Sequence, residues 1–281
     1  MRVVFFTTAS VNNFDTFSQD NFIFEAEDFD FGGGRFINNP VPTSIPATNS
    51  YFLEAKPAIS GVDLTTDVAD SEAYRYDLCG TQVTSDVLRR KYIDAGVADY
   101  NVGWWYAGAW LNYTRSIPTN NYYIYARLAS GNGNYTVTNR LVIGGAGTPT
   151  QTTKLLGTFS AAGTGWQSWQ WVPLLNTNGQ MAVVSLGGVE TFKLTSDSSV
   201  NANFYMLAPA PASPKIVIFL RNANPVLSFA TQAGFSYLVA YKDELNDAYW
   251  KLLTIVAGDG TDKYILDTVF KTQRFYKVEP L

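Results

Sequence analysis

Histidine is absent from all 281 residues. That removes the commonest general base and the commonest metal ligand, and with them Ser-His-Asp hydrolases and His-ligated zinc or iron sites. A single cysteine, Cys79, allows no disulfide within the chain; it reads as a small buried apolar residue. Charged residues make up only 16%, the formal net charge is −4, and no run of Lys or Arg is longer than Arg89-Arg90-Lys91. A phosphate-binding surface needs clustered positive charge to release counterions, so nucleic acid is not an expected partner. No stretch approaches the roughly 20 apolar residues needed to cross a bilayer, so no membrane span is expected. The opening Met1-Arg2-Val3-Val4-Phe5-Phe6 is too short an apolar run to form a complete signal-peptide core; a leader, had one existed, is expected to be missing from this numbering.

What the chain does have is aromatic side chains. With 17 Tyr, 18 Phe and 7 Trp, their share is 15%, which suits strands and flat platforms for sugar rings. Short apolar or alternating runs recur between turn signals at residues 22–27, 108–117, 122–129, 135–143, 155–159, 168–172, 181–186, 191–194 and 203–207. This spacing predicts an all-β sandwich. Within 122–129, Tyr123, Tyr125 and Arg127 fall on one face and Tyr122, Ile124, Ala126 and Leu128 on the other. Residues 30–90 are loop-rich, with Gly32-Gly33-Gly34 and several proline signals; only residues 85–91 suggest a helical turn.

Alternating prolines in Ala208-Pro209-Ala210-Pro211-Ala212-Ser213-Pro214 form an extended spacer that no helix or central strand can run through. The expected organisation is therefore an N-terminal extension or extra strand over 1–20, a main sandwich over 21–208, a linker over 209–214, and a smaller sandwich over 215–281. Six or seven short strands in that last segment match the size of a small immunoglobulin-like domain.

Three blocks carry a family resemblance. The first is Phe24-Glu25-Ala26-Glu27 leading into Gly32-Gly33-Gly34. The second is Asp99-Tyr100-Asn101-Val102-Gly103-Trp104 through Gly108-Ala109-Trp110, followed by Tyr125-Ala126-Arg127-Leu128. The third is Gly165-Trp166-Gln167-Ser168-Trp169, with Val200-Asn201-Ala202-Asn203-Phe204 near its end. Together they cover residues 21–208 and resemble the family 6 carbohydrate-binding module, a β-jelly-roll. The segment from Tyr241 to Trp250 is similar to a small C-terminal sandwich domain of environmental bacterial surface proteins.

The resemblance implies a non-catalytic, extracellular or cell-surface protein whose partner is a polysaccharide or glycan, bound in a shallow groove. By the family pattern Tyr100 and Trp166 form an aromatic pair and Asn201 is the polar anchor. Trp104 and Trp105, adjacent in sequence, must point to opposite sides of an extended backbone, so one can line the groove while the other packs inside; core packing is the expected place of each, with Trp104 carried as the candidate site residue. Relatives carry an acidic residue where this chain has Ala109, which puts part of their ligand contacts in doubt here.

Glu25 and Glu27 lie two apart on a strand and share a face, a geometry suited to a hard cation. In relatives this region holds structural Ca2+, with Asn203 as a further candidate ligand; two solvated carboxylates are the alternative. Neighbours on one strand cannot flank a sugar as glycosidase acid and base do, so no enzyme is expected. Asn112-Tyr113-Thr114 and Asn134-Tyr135-Thr136 match the N-glycosylation acceptor pattern, which occurs often by chance.

A second reading keeps the fold without the ligand, as a subunit of an extracellular filament or surface layer. The charge-free, strand-prone run Val3-Val4-Phe5-Phe6-Thr7-Thr8 could then pair with copies of the chain through an exposed edge, or add a strand to its own sandwich.

Overall fold

The computed structural model describes residues 21–36, 58–65, 80–211, 213–269, 271 and 273–280. Cys79 and the strand-prone run at 3–8 lie outside them. The chain divides into two compact units, Met1–Ala210 and Pro211–Leu281, and the division falls inside the proline-rich stretch.

The described residues of the first unit are all β apart from one short helix. Its elements are β1 (Phe22–Glu25), β2 (Leu64–Thr65), β3 (Thr81–Val83), α1 (Arg90–Ala95), β4 (Tyr100–Trp105), β5 (Trp110–Ala129), β6 (Tyr135–Gly144), β7 (Thr152–Ala161), β8 (Gln170–Leu175), β9 (Val183–Ser196) and β10 (Val200–Pro209). The hydrogen-bonded order is β3-β4-β10-β5-β8-β7-β6-β9, with β1 on β10, β2 on β5, and β9 returning to pair with β5. Residues 108–117 and 122–129, expected as separate strands, belong to β5, which runs unbroken for 20 residues. Its first half pairs with β9 and its second half with β8 and β10, and the β5–β9 register slips between Ile117 and Asn120, where Pro118 cannot donate to a ladder. One strand thereby serves both layers of the sandwich.

Tyr122, Ile124, Ala126 and Leu128 all enter the core, as their alternation requires. At its centre Phe24 meets Tyr205 at 5.1 Å, Tyr113 at 5.4 Å and Phe192 at 5.9 Å between ring centroids. The buried Arg115 guanidinium lies 5.3 Å from the Phe24 ring and donates to the carbonyls of Thr114 and Asp28. It also faces Asp30 at 3.9 Å, whose carboxyl is pushed up to about 6, chiefly by burial.

The helical turn expected at 85–91 forms later, at Arg90–Ala95. Ser85 and Asp86 are held instead by hydrogen bonds to Gln167 and Arg127, and Gly96, left-handed at φ 67°, ends the helix.

The second unit contains β11 (Val217–Arg221), β12 (Asn224–Ala230), β13 (Ser236–Lys242), β14 (Lys251–Ala257), β15 (Asp262–Leu266) and β16 (Phe275–Pro280). They form two antiparallel sheets, β11-β12-β15 and β14-β13-β16, around Leu227, Phe229, Tyr237, Val239 and Val278. The described strands are thus six in a three-plus-three arrangement, against the seven of an immunoglobulin constant-type sandwich.

Candidate functional site

A backbone irregularity shapes a cleft in the first unit. Between the pairs Val200↔Trp105 and Ala202↔Val102, β10 contributes one residue, Asn201, and β4 contributes two, Gly103 and Trp104. This is a β-bulge, and its extra residue reverses the alternation. Trp105 therefore falls on the same core-facing side as Val102, fully buried, with its indole N–H donating to the Ala109 carbonyl at 2.9 Å. Trp104, left-handed at φ 50°, turns outward and is 37% exposed. Such a backbone costs about 1–2 kcal/mol for a residue with a Cβ, and a functional position is where that cost is commonly tolerated.

The space around Trp104 depends on missing side chains. A Cβ on Gly80 would stand 2.9 Å from the Trp104 ring. On Gly103 it would stand 3.1 Å from the Gln82 amide and 3.6 Å from Asn201 Oδ1. Two glycines thus let an indole and two carboxamides crowd together.

Trp166, 49% exposed, lines the same space. Its ring rests on Gly131, where a Cβ would come within 2.5 Å of the indole nitrogen. The next residue, Gln167, is left-handed at φ 61° and ties this loop to the rest of the unit. Its Oε1 accepts from the Ser85 backbone at 3.0 Å and from the Trp169 indole at 3.2 Å, while its Nε2 donates to Asn101 Oδ1 at 3.0 Å.

The resulting cleft, of about 400 Å³, is lined by Trp104, Tyr106, Trp166, Gln82, Asn132, Gln167, Ser199 and Asn201. None of these carries a carboxylate, amine or guanidinium. Asn201 is only 4% exposed, and its carboxamide makes no hydrogen bond to another described residue. Its donors and acceptor are therefore available to whatever occupies the cleft.

Of the sequence-predicted residues, Trp104, Trp166 and Asn201 come together here, and Tyr100 does not. Tyr100 is 8% exposed, paired with Val83 on β3; because the bulge comes after it, it stays on the buried side of β4. The tryptophan that lines the cleft together with Trp166 is Trp104. Ala109 is also buried and is not among the residues that line the cleft. Gln82, Tyr106, Asn132, Gln167 and Ser199 were not singled out by sequence; the glycine-flanked Trp166-Gln167 pair was the one available signal among them.

A second constellation lies in the interior. One carboxylate oxygen each from Glu25, Glu27 and Asp99 lie within 4.8 Å of one another, and all three residues are buried. Arg89 approaches Glu25 with its Nε, 2.9 Å from Oε1, and its Nη2. Burial, reinforced by the neighbouring Glu25 charge, holds the carboxyls of Glu27 and Asp99 well above the usual range. Asn203 donates to Asp86 at 3.2 Å and to Asp99 at 3.5 Å, while its own Oδ1 is buried with no hydrogen bond among the described residues. An all-oxygen set with an unsatisfied amide carbonyl at its edge fits a hard cation. Asp99 and Arg89 are additions to the residues expected from sequence.

No family model matches the sequence, and no curated protein matches it. Among solved structures, the chain is similar to a carbohydrate-binding module (CBM6cm-2) from Cellvibrio mixtus lichenase 5A in complex with cellotriose. That likeness is 26% identical over 47% of this chain and 87% of the module, with a TM-score of 0.34. The C-terminal CBM6 of LamC, a marine laminarinase from Zobellia galactanivorans, is 26% identical over 46% and 87%, with a TM-score of 0.34. A β-1,3-glucan binding CBM6 from Bacillus halodurans is 26% identical over 46% and 84%, again at 0.34.

Proposed function

We propose that the first unit binds a neutral glycan in this cleft without transforming it. The observation that carries the reading is the Asn201 carboxamide, nearly buried and without a described internal partner, at a cleft walled by two half-exposed tryptophans. Indole faces cover the apolar faces of pyranose rings, and a carboxamide offers a donor and an acceptor to neighbouring hydroxyls. The absence of ionic side chains from the lining selects against uronic acids and sulfated sugars, whose charge would lose hydration without gaining a partner. The cleft volume lies within the range of small-ligand sites. Such a protein works by holding whatever it belongs to against polysaccharide, at the cell surface or outside it.

Affinity electrophoresis through gels of neutral and of acidic polysaccharides tests this directly. Wild type is expected to be retarded by a neutral glycan, and Asn201→Ala to bind about tenfold more weakly, the equivalent of about 1.4 kcal/mol. A folded wild type that migrates freely through every neutral gel would refute the reading.

The buried oxygen cluster is proposed as a structural Ca2+ site held by Glu25, Glu27, Asp99 and Asn203, with Arg89 supporting Glu25. A cation bound only by the folded state at 100 times its dissociation constant stabilises by about 2.7 kcal/mol, which for a unit of this size is a shift in melting midpoint of roughly 5–10 °C. Calcium addition after chelation is expected to raise the midpoint of wild type by that amount and to leave Asn203→Leu unmoved. Identical midpoints for wild type with chelator and with calcium would remove the cation.

A further inference from the structure

We infer that the second unit pairs with a second copy of itself, edge to edge, through β11. Among the described residues the strand hydrogen-bonds to β12 on one side only, and all five of its residues are exposed. Four of them, Val217, Ile218, Phe219 and Leu220, are apolar, and Leu220 is 71% exposed.

Both faces of the strand contribute. Ile218 stands opposite Leu227, on the core side, yet it is open to solvent because the sandwich leaves the inner side of β11 uncovered. On the outer face the register aligns Phe219, Val226 and Leu266 in one row, with Val217, Ser228 and Tyr264 in the next. In the first row Val226 is buried between the exposed Phe219 and Leu266, so the exposed apolar side chains of this face lie on β11 and β15.

Monomeric sheets protect such edges with charge, proline or bulges. The other outer strands of this unit carry charge: Asp262 and Lys263 in β15, Lys251 in β14, Lys277 and Glu279 in β16. β11 carries none from Val217 to Leu220.

A second copy satisfies this edge through its own symmetry. Antiparallel pairing of two β11 strands centred on Phe219 sets Phe219 opposite Phe219, Ile218 opposite Leu220, and Val217 beside the aliphatic stem of Arg221. Lys215 then faces Ala223, so no like charges meet. The two three-stranded sheets become one of six strands, and the outer apolar row continues across the two-fold axis. Such an interface is isologous and closes at the dimer.

Sedimentation of the full chain over a concentration series tests the inference. The expected result is a species of twice the 31.0 kDa chain mass. Phe219→Lys, which sets two ammonium groups face to face, is expected to give a monomer with an unchanged melting midpoint. In a Cys79→Ser background, Phe219→Cys should crosslink to a covalent dimer on mild oxidation and Val217→Cys should not, because only position 219 meets itself. A wild type that stays monomeric at every concentration overturns the inference, and so does a dimer that survives Phe219→Lys. Glycan retention by the first unit is scored separately, so the two readings fail independently.

Discussion

Gly131→Val is expected to weaken glycan binding by about 100-fold, the equivalent of about 3 kcal/mol, while leaving the melting midpoint within about 2 °C of wild type. Gly131 sits in the exposed turn after β5 and has no left-handed φ, so a side chain there strains nothing in the backbone. What it meets is the Trp166 indole, at 2.5 Å from the nitrogen, well inside van der Waals contact. The backbone of the Trp166 loop cannot yield, because Gln167 binds it to Ser85 and Asn101 and Gly165 donates to the Ser130 carbonyl at 2.9 Å. The indole must therefore rotate away, and its stacking surface in the cleft is lost. Isothermal titration beside a thermal melt separates the outcomes. Full affinity in a folded Gly131→Val protein would mean that Trp166 does not touch the sugar.

The adjacent tryptophans of β4 are expected to divide stability and binding between them. Trp105→Ala removes one of the largest fully buried side chains of the unit and its hydrogen bond to Ala109. The cost is about 3–5 kcal/mol, a fall in midpoint of roughly 10 °C. Trp104→Gly removes an exposed ring and relieves a left-handed backbone that only glycine adopts without penalty. Its midpoint should hold or rise by a few degrees while glycan affinity falls. Chemical denaturation and affinity gels on the two variants check this, and a reversed pattern would mean that the bulge has been assigned to the wrong residue.

These two side chains mark where sequence reading succeeds and where it stops. Alternation marked most strands of both units, because each strand's buried face is written in its own residues, but β2, β3 and the cleft-bearing β4 were not among the runs it marked. Trp166 and Asn201 were accessible through short local blocks. The error at Tyr100 has a local physical cause. One extra residue in β4 reverses the parity of everything after it, and nothing in Tyr100-Asn101-Val102-Gly103-Trp104-Trp105 announces the reversal except a glycine. Other site features are long-range. Gln167 works through residues 66 and 82 positions away, and the oxygen cluster joins two glutamates of the first described segment to Asp99 at the foot of β4. Helix α1 was misplaced for the same reason, since Ser85 and Asp86 answer to partners far along the chain.

The continuity of β5 decides what kind of receptor this cleft can be. A strand bonded to β9 along one half and to β8 and β10 along the other leaves the two layers no hinge about which to swing. Among the described residues, the cleft is held by a loop bolted through Gln167 and by a bulged strand, and neither carries a hinge for closure around a ligand. If the proposed glycan binds there, selectivity comes from a fixed mould that admits or refuses it as it arrives, with little ordering cost on binding.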